Sequence, residues 1–305
     1  MSYENIGIVF SGQGSQFEGM GKTISDREEY KTLKKIDKDI YEKVVRAEKA
    51  DLDRTGIAQP AIFLNSITLF RELKKRGLDF KYFTGLSLGE YTALCAADKM
   101  DFEDTLKLVC TRGSIMEKGI EGKGAMAAIL KTDIEEIEDI IDCVKGDEIL
   151  SISNLNSPGQ IVVGGSNKAI AQFEEEASKR HIKRVVRLNV QGPFHTDFLK
   201  ESADEFEQEL KKIVFKNNEK VVYSNYKIKE HRKEDYVDIL KKQMYSTVEF
   251  ENCVKKMINE GCDTFIEIGP GKTLSGFIKK IDKKMTVYNI ENIEEVDELC
   301  SHIMR

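Results

Sequence analysis

Residues 85–89 read Gly-Leu-Ser-Leu-Gly and set Ser87 between two glycines. The stretch follows a short apolar run at 80–83 and precedes a helix-forming segment at 90–97. A serine at such a strand-to-helix turn reads either as an ordinary turn residue or as a nucleophile elbow, in which the turn lifts the hydroxyl clear of the backbone. The helix N-terminus behind it offers free N–H groups and a positive dipole end to a developing oxyanion. A serine hydroxyl also needs a base. The chain has four histidines, at 181, 195, 231 and 302. His181 and His231 stand among charged residues and are expected at the surface, and His302 in a frayed terminus. His195 follows a predicted strand and the pair Gly192-Pro193, which makes it the candidate base. No acid at a strand end between Ser87 and His195 completes the usual serine–acid–histidine order, so another group must orient the imidazole. Arg112 lies on a predicted helix near Leu108, Ile115 and Met116. A cation among apolar neighbours needs a partner or a route to solvent.

Other chemistries are harder to support. The loop Ser11-Gly12-Gln13-Gly14-Ser15-Gln16 follows a strand candidate at 6–10, but position 17 is Phe, so the dinucleotide fingerprint fails. Residues 30–50 read as charged helix rather than as the acid-terminated strand that fingerprint requires. The stretch Gly269-Pro270-Gly271-Lys272-Thr273 is no phosphate loop, because position 266 is Ile where that motif needs glycine. Six cysteines, at 95, 110, 143, 253, 262 and 300, include no Cys-x-x-Cys pair. They read as reduced core or surface thiols rather than metal ligands or disulfides. A net charge of −6 argues against a nucleic-acid partner. The cluster Lys279, Lys280, Lys283 and Lys284 reads as a solvated helix end, with a phosphorylated cofactor or an acidic partner as the alternative. No apolar run reaches 18 residues and residues 1–5 are polar, so the expectation is a cytoplasmic protein with no membrane span.

The elements that must position these groups fall into two rhythms. Helices are predicted at 59–75, with Pro60 in the first turn, and from 101 to about 118. From 124 to 189 the order is strand (125–130), helix (133–144), strand (149–154), a turn at 156–159, strand (160–164), a Ser166-capped helix to about 180, and strand (183–189). That β-α-β-β-α-β order is the ferredoxin-like split unit. Alternation of helix and strand then resumes, with a helix at 197–212, a strand at 221–224, helices across 234–259, strands at 264–268 and 285–290, and a terminal helix. The prediction is an α/β protein with a large unit from 1–123 and 190–305 and a small inserted unit at 124–189.

Six blocks occur in one order: Gly12-Gln13-Gly14-Ser15-Gln16, Gly85-Leu86-Ser87-Leu88-Gly89-Glu90, Arg112-Gly113, Asn156-Ser157-Pro158-Gly159-Gln160, Gly192-Pro193-Phe194-His195 and Glu267-Ile268-Gly269-Pro270-Gly271-Lys272. In that order they resemble the malonyl-CoA:acyl-carrier-protein transacylases across nearly the whole chain. The resemblance implies an α/β-hydrolase-like large subdomain carrying an inserted ferredoxin-like small subdomain. It implies Ser87 as the acylated nucleophile, His195 as general base and acid, and Gln13 and Leu88 as the backbone donors of an oxyanion hole. It further implies Arg112 as partner of the malonyl carboxylate and the Gln243 main-chain carbonyl as the group that orients the histidine. Phe194 reads equally as packing or as a wall against an α-methyl branch, and Met116 as a further substrate contact. Malonyl-CoA would be a substrate, with no permanently bound cofactor, and an acyl carrier protein the partner of a monomer. Three positions depart from the family pattern: Leu86 replaces a histidine, Ser11 a proline, and Thr247 a proline. A free-standing acyltransferase of a polyketide assembly line would share all six blocks. Competing readings are an editing acyl-thioester hydrolase with the same Ser–His dyad, and a non-catalytic carrier-docking protein.

Overall fold

The computed structural model describes residues 2–232 and 235–303. The chain opens with strand β1 (Ser2–Phe10), the glycine-bearing loop, and three charged helices, α1 (Glu28–Ile36), α2 (Lys38–Arg46) and α3 (Lys49–Leu52). These occupy the stretch expected to form one helix. The break has local causes: Asp37 leaves helical geometry and its carboxylate accepts from Ile40 N at 2.9 Å, capping α2, while Ala47 ends α2 with φ 49°. Helix α4 (Thr55–Lys75) begins four residues before the expected start, so Pro60 lies inside it rather than in its first turn. Almost every α4 side chain up to Leu73 is buried, so packing on all sides outweighs the hydrogen bond lost at the proline. Then come β2 (Asp79–Gly85), α5 (Leu88–Ala96) and α6 (Phe102–Ile120).

The middle stretch forms β3 (Ala125–Leu130), α7 (Ile134–Val144), β4 (Leu150–Ser157), β5 (Gln160–Gly165), α8 (Asn167–Lys179) and the short β6 (Val185–Arg187). After a 3-10 turn at Asp197–Leu199 follow α9 (Lys200–Leu210), β7 (Val221–Val222), α10 (Tyr236–Gln243), α11 (Phe250–Asn259), β8 (Thr264–Ile268), α12 (Thr273–Ile281), β9 (Thr286–Ile290) and α13 (Ile293–Ile303). The expected helix start at Glu234 lies outside the described residues.

Two sheets result. The large one is wholly parallel, in the order β7-β2-β1-β8-β9. Its central strands carry Ile8, Val9, Phe10, Phe83, Phe265 and Ile266, all shielded from water by helices on both faces. The small sheet is antiparallel in the order β4-β5-β3-β6, the arrangement of a ferredoxin-like split unit. The two-residue period of its strands divides its side chains cleanly. Ala127, Ile129, Ile161 and Val163 face α7 and α8, where Ile137, Ile140, Ile170 and Phe173 complete a separate core. Met126, Ala128 and Val162 point the other way, into the main core. The small sheet is tied to the connection between α10 and α11 at Val248, whose N–H donates to Ser153 O at 2.8 Å and whose carbonyl accepts from Leu155 N at 2.9 Å. Thr247 adds a bond from Oγ1 to Ile152 O at 2.7 Å.

Candidate active site

Ser87 sits between the end of β2 and the start of α5 with φ 52° and ψ −97°. That backbone is unusual for a residue bearing a Cβ, and it aims the hydroxyl outward. The flanking glycines serve close approach rather than positive φ. A Cβ on Gly85 would fall into the Gly89 backbone, one on Gly89 into the Phe10 carbonyl, and one on Gly12 into the Leu86 carbonyl. The elbow is thus wedged against the end of β1, and Leu86 N–H bonds Phe10 O at 3.1 Å. This contact brings the 11–16 loop beside Ser87.

Ser87 Oγ lies 2.7 Å from His195 Nε2. His195 Nδ1 lies 2.9 Å from the Gln243 main-chain carbonyl. A carbonyl only accepts, so Nδ1 carries the proton and Nε2 is left with a lone pair toward the serine hydroxyl. His195 is 4 % exposed and has φ 56°. Burial, reinforced by the positive charge of Arg112, pushes its pKa down from 6.5 to about 3, against a smaller upward pull from the Gln243 carbonyl. The imidazole is therefore held neutral.

Arg112 comes from α6 and is completely buried. Its Nη1 donates to Gln59 Oε1 at 2.8 Å, and its Nη2 to Gln243 Oε1 at 3.1 Å and Ser87 Oγ at 3.2 Å. The guanidinium lies over the Tyr91 ring, 4.8 Å from its centroid. Burial pulls its pKa below the ordinary guanidinium value, opposed by Tyr91 and Glu90. Gln59, Gln243 and Ser87 are neutral partners, so dipoles and an aromatic face solvate the cation and no carboxylate occupies its hydrogen-bonding fork among the described residues. Its Nε has no partner among the described residues.

Ser87, His195, Arg112 and Gln59 line one cavity of about 140 Å³, with Gln243 and Tyr91 behind it. That is below the ~300–1,000 Å³ typical of drug-sized ligand sites and suits a short acyl group. The large-sheet side supplies Gln13, Gln59, Ser87, Leu88 and Arg112, while Met126, Asn154, Asn156 and Val162 of the small sheet form the opposite wall. Leu88 opens α5, so its N–H has no partner one turn earlier. Gln13 lines the cavity, and its side chain is tethered to α4, Nε2 donating to Thr55 Oγ1 at 3.0 Å. Phe194 and Met116 are both lining residues, 8 % and 1 % exposed.

The other seven site residues singled out in the sequence are thus gathered around Ser87, and one expectation about the histidines is overturned. His231 is 1 % exposed, not a surface residue. Lys229 and Arg232 beside it do face solvent. A β-bridge between Tyr223 and Glu230, with His231 N–H on Val222 O at 3.0 Å, folds the segment back so that the imidazole alone turns inward. Sequence reasoning also passed over Gln59 and Asn225. Gln59 had a signal, as an amide inside an otherwise apolar helix. Asn225, whose Oδ1 accepts from Ser87 N at 2.7 Å, had only its place just after a strand end.

The acyl transferase domain pattern matches residues 8–296. The chain is 36 % identical over 305 residues to the malonyl CoA-acyl carrier protein transacylase of Bacillus subtilis, covering 96 % of this chain and 95 % of that one. It is 37 % identical over 298 residues to that of Staphylococcus aureus strain MW2, covering 95 % and 96 %. Among solved structures, the malonyl CoA-acyl carrier protein transacylase of Clostridium perfringens superposes with a TM-score of 0.91 at 37 % identity, covering 98 % of this chain and 97 % of the other. A malonyl-transacylase in complex with its type II polyketide acyl-carrier protein superposes with a TM-score of 0.93 at 28 % identity, covering 98 % and 100 %. By family and by fold, the chain belongs to the malonyl CoA-acyl carrier protein transacylases.

Proposed function

We propose that the protein moves a malonyl group from coenzyme A to the phosphopantetheine thiol of an acyl carrier protein, by way of an ester on Ser87. The observation that carries this is the position of one hydroxyl, 2.7 Å from a neutral imidazole and 3.2 Å from a buried guanidinium. In the first half-reaction His195 Nε2 takes the hydroxyl proton as Oγ attacks the thioester carbonyl. The oxyanion forms against the backbone N–H groups of Leu88 and Gln13. Collapse breaks the C–S bond, and the departing thiolate recovers the proton from His195. In the second half-reaction the carrier's thiol gives its proton to His195, attacks the seryl ester, and the proton returns to Ser87 Oγ.

Arg112 is the selector. A malonyl carboxylate displaces the amide oxygens from its planar fork and forms a charge-assisted pair. The same event cancels the positive charge that depresses His195, so substrate binding raises the basicity of the catalytic imidazole. A main-chain carbonyl in place of a carboxylate behind His195 suits this chemistry. A thiolate with a reference pKa of ~8.5 leaves readily, and a second anion would repel malonate. Phe194 and Met116 close the acyl end of the cavity. We read residues 1–123 with 190–305 as the catalytic unit and 124–189 as the unit that covers it. No described helix is long and apolar enough to cross a membrane, and we place the protein in the cytoplasm as a monomer serving fatty-acid or polyketide synthesis.

The deciding experiment is intact-mass analysis after incubation with malonyl-CoA, with Ser87→Ala as control. One malonyl mass on the wild-type chain and none on the variant is expected. No mass gain in the wild type would favour a carrier-docking protein instead. Addition of holo carrier protein should then yield malonyl-carrier. Release of free malonate in its place would make the protein a hydrolase.

A further inference from the structure

Behind the elbow, on the side away from the cavity, lies a second buried polar cluster. The side chains of Glu90 and His231 are both fully buried, with Glu90 Oε1 2.5 Å from His231 Nε2. The other carboxylate oxygen, Oε2, accepts from the Asn225 main-chain N–H at 2.8 Å and from Gln243 Nε2 at 3.1 Å. Both of these partners lead back to the reacting groups. Asn225 Oδ1 accepts from Ser87 N at 2.7 Å, and its Nδ2 donates to Gly85 O at 2.8 Å. Gln243 Nε2 also donates to Ser87 O at 2.8 Å, while its main-chain carbonyl holds His195 Nδ1.

We propose that the Glu90–His231 pair is a positioning device, in which one buried carboxylate fixes both the Ser87 backbone and the carbonyl that orients His195. It rests on the assignment of Ser87 and His195 made above. Ser87 has positive φ, a conformation that persists only where its surroundings over-determine it. Here both of its main-chain polar groups are claimed, the N–H by Asn225 and the C=O by Gln243, and both claimants are held by Glu90. A fully buried carboxylate keeps that grip only if its other oxygen is also satisfied, which is the part His231 plays. His231 is in turn fixed by stacking on Tyr236, with ring centroids 5.2 Å apart, and Tyr236 stacks on Phe215 at 4.4 Å. The Glu90 carboxylate only accepts, so His231 Nε2 donates to it, while Nδ1 has no partner among the described residues. Loss of His231 frees Oε1 to seek another donor, and the turn of the carboxylate loosens Asn225 and Gln243 together.

The test is single-turnover acylation of the full chain by malonyl-CoA, followed by intact mass and scaled to the folded fraction from circular dichroism. His231→Leu is expected to slow the rate constant at saturation about tenfold or more, because small displacements of reacting groups are costly. Half-saturation should stay within about threefold, since Arg112 and the cavity wall are untouched. His231→Gln, which keeps a donor for Glu90, should recover most of the rate. A His231→Leu rate within about twofold of wild type, or a Gln variant as slow as Leu, overturns the proposal. Should His231→Leu not fold, Asn225→Ala decides: about tenfold slower supports the network, and wild-type rate refutes it. Acylation of Ser87→Ala would refute the site assignment and the proposal with it. A silent Ser87→Ala beside a fast His231→Leu would refute the positioning role alone.

Discussion

The two sheets meet over one cavity and contribute unlike things to it. The parallel sheet delivers the groups that the proposed mechanism uses, because the carboxyl ends of β1 and β2 point the same way and the loops leaving them carry Gln13 and Ser87 to one cavity. The antiparallel sheet delivers shape. Its strands alternate sides, one face packing on α7 and α8 and the other presenting Met126 and Val162 to the cavity. A ferredoxin-like sheet with helices on one face has a free face, and here that face is the roof of the site. Chemistry and enclosure are therefore built by different parts of the chain, and substitutions in the two should fail in different ways.

The largest effect should come from His195→Ala. Loss of the base is expected to reduce acylation by about 10³–10⁴-fold, with far-UV circular dichroism unchanged. Acylation at a comparable rate would remove the parallel-sheet side of the contrast. Next is Arg112→Ala, expected to cost malonyl transfer roughly 10²–10³-fold while acetyl transfer gains relative to it. Competition between malonyl-CoA and acetyl-CoA reads this out, and unchanged selectivity would strip Arg112 of its role.

A smaller effect concerns pH. With His195 held near a pKa of about 3 rather than 6.5, kcat/KM for acylation should stay level as pH falls from about 8 to about 5, where an ordinary histidine base would lose activity. Stability, unlike the rate, does change with pH. Between about 6.5 and about 3 the unfolded chain takes up a proton at this residue that the native state refuses. This site therefore makes the protein less stable as pH drops through that window, by up to ~1.4 kcal/mol per pH unit. Thermal melts of wild type and His195→Gln across the window would isolate the contribution. Smallest in rate should be Val162→Ala on the roof. It is expected to cost ~2 kcal/mol of stability through lost burial and a cavity, and to raise KM more than it lowers kcat. A kcat loss as large as that of Arg112→Ala would erase the distinction between the sheets.

How far the sequence disclosed all this depended on how local each signal was. The elbow is a five-residue pattern whose strand, turn and helix lie within a few positions of Ser87, so it can be read directly. The β-α-β-β-α-β order of the antiparallel sheet was equally readable, because hairpin and crossover connections follow chain order. Arg112 stood out as a charge in an apolar helix, but its partners Gln59 and Gln243 lie 53 and 131 residues away, and nothing in their own neighbourhoods marks them as a pair. The long helix expected at 30–50 failed for a local reason, Asp37 preferring to cap rather than continue. His231 failed for a global one. Its flanking charges do face water, and only the return of the chain onto β7 turns that single ring inward.

The sequence by itself determined which groups could react, because a serine between crowding-intolerant glycines, a lone histidine after a turn and a stranded arginine each carry their chemistry in residue type and immediate spacing. Tertiary structure decided what those groups are worth. Removal of water from His195 and Arg112, the carbonyl that fixes a tautomer, and the carboxylate shared behind the elbow all come from segments distant in the chain. Desolvation and hydrogen-bond geometry are properties of the packed neighbourhood, and that neighbourhood exists only once the two sheets have closed over the cavity.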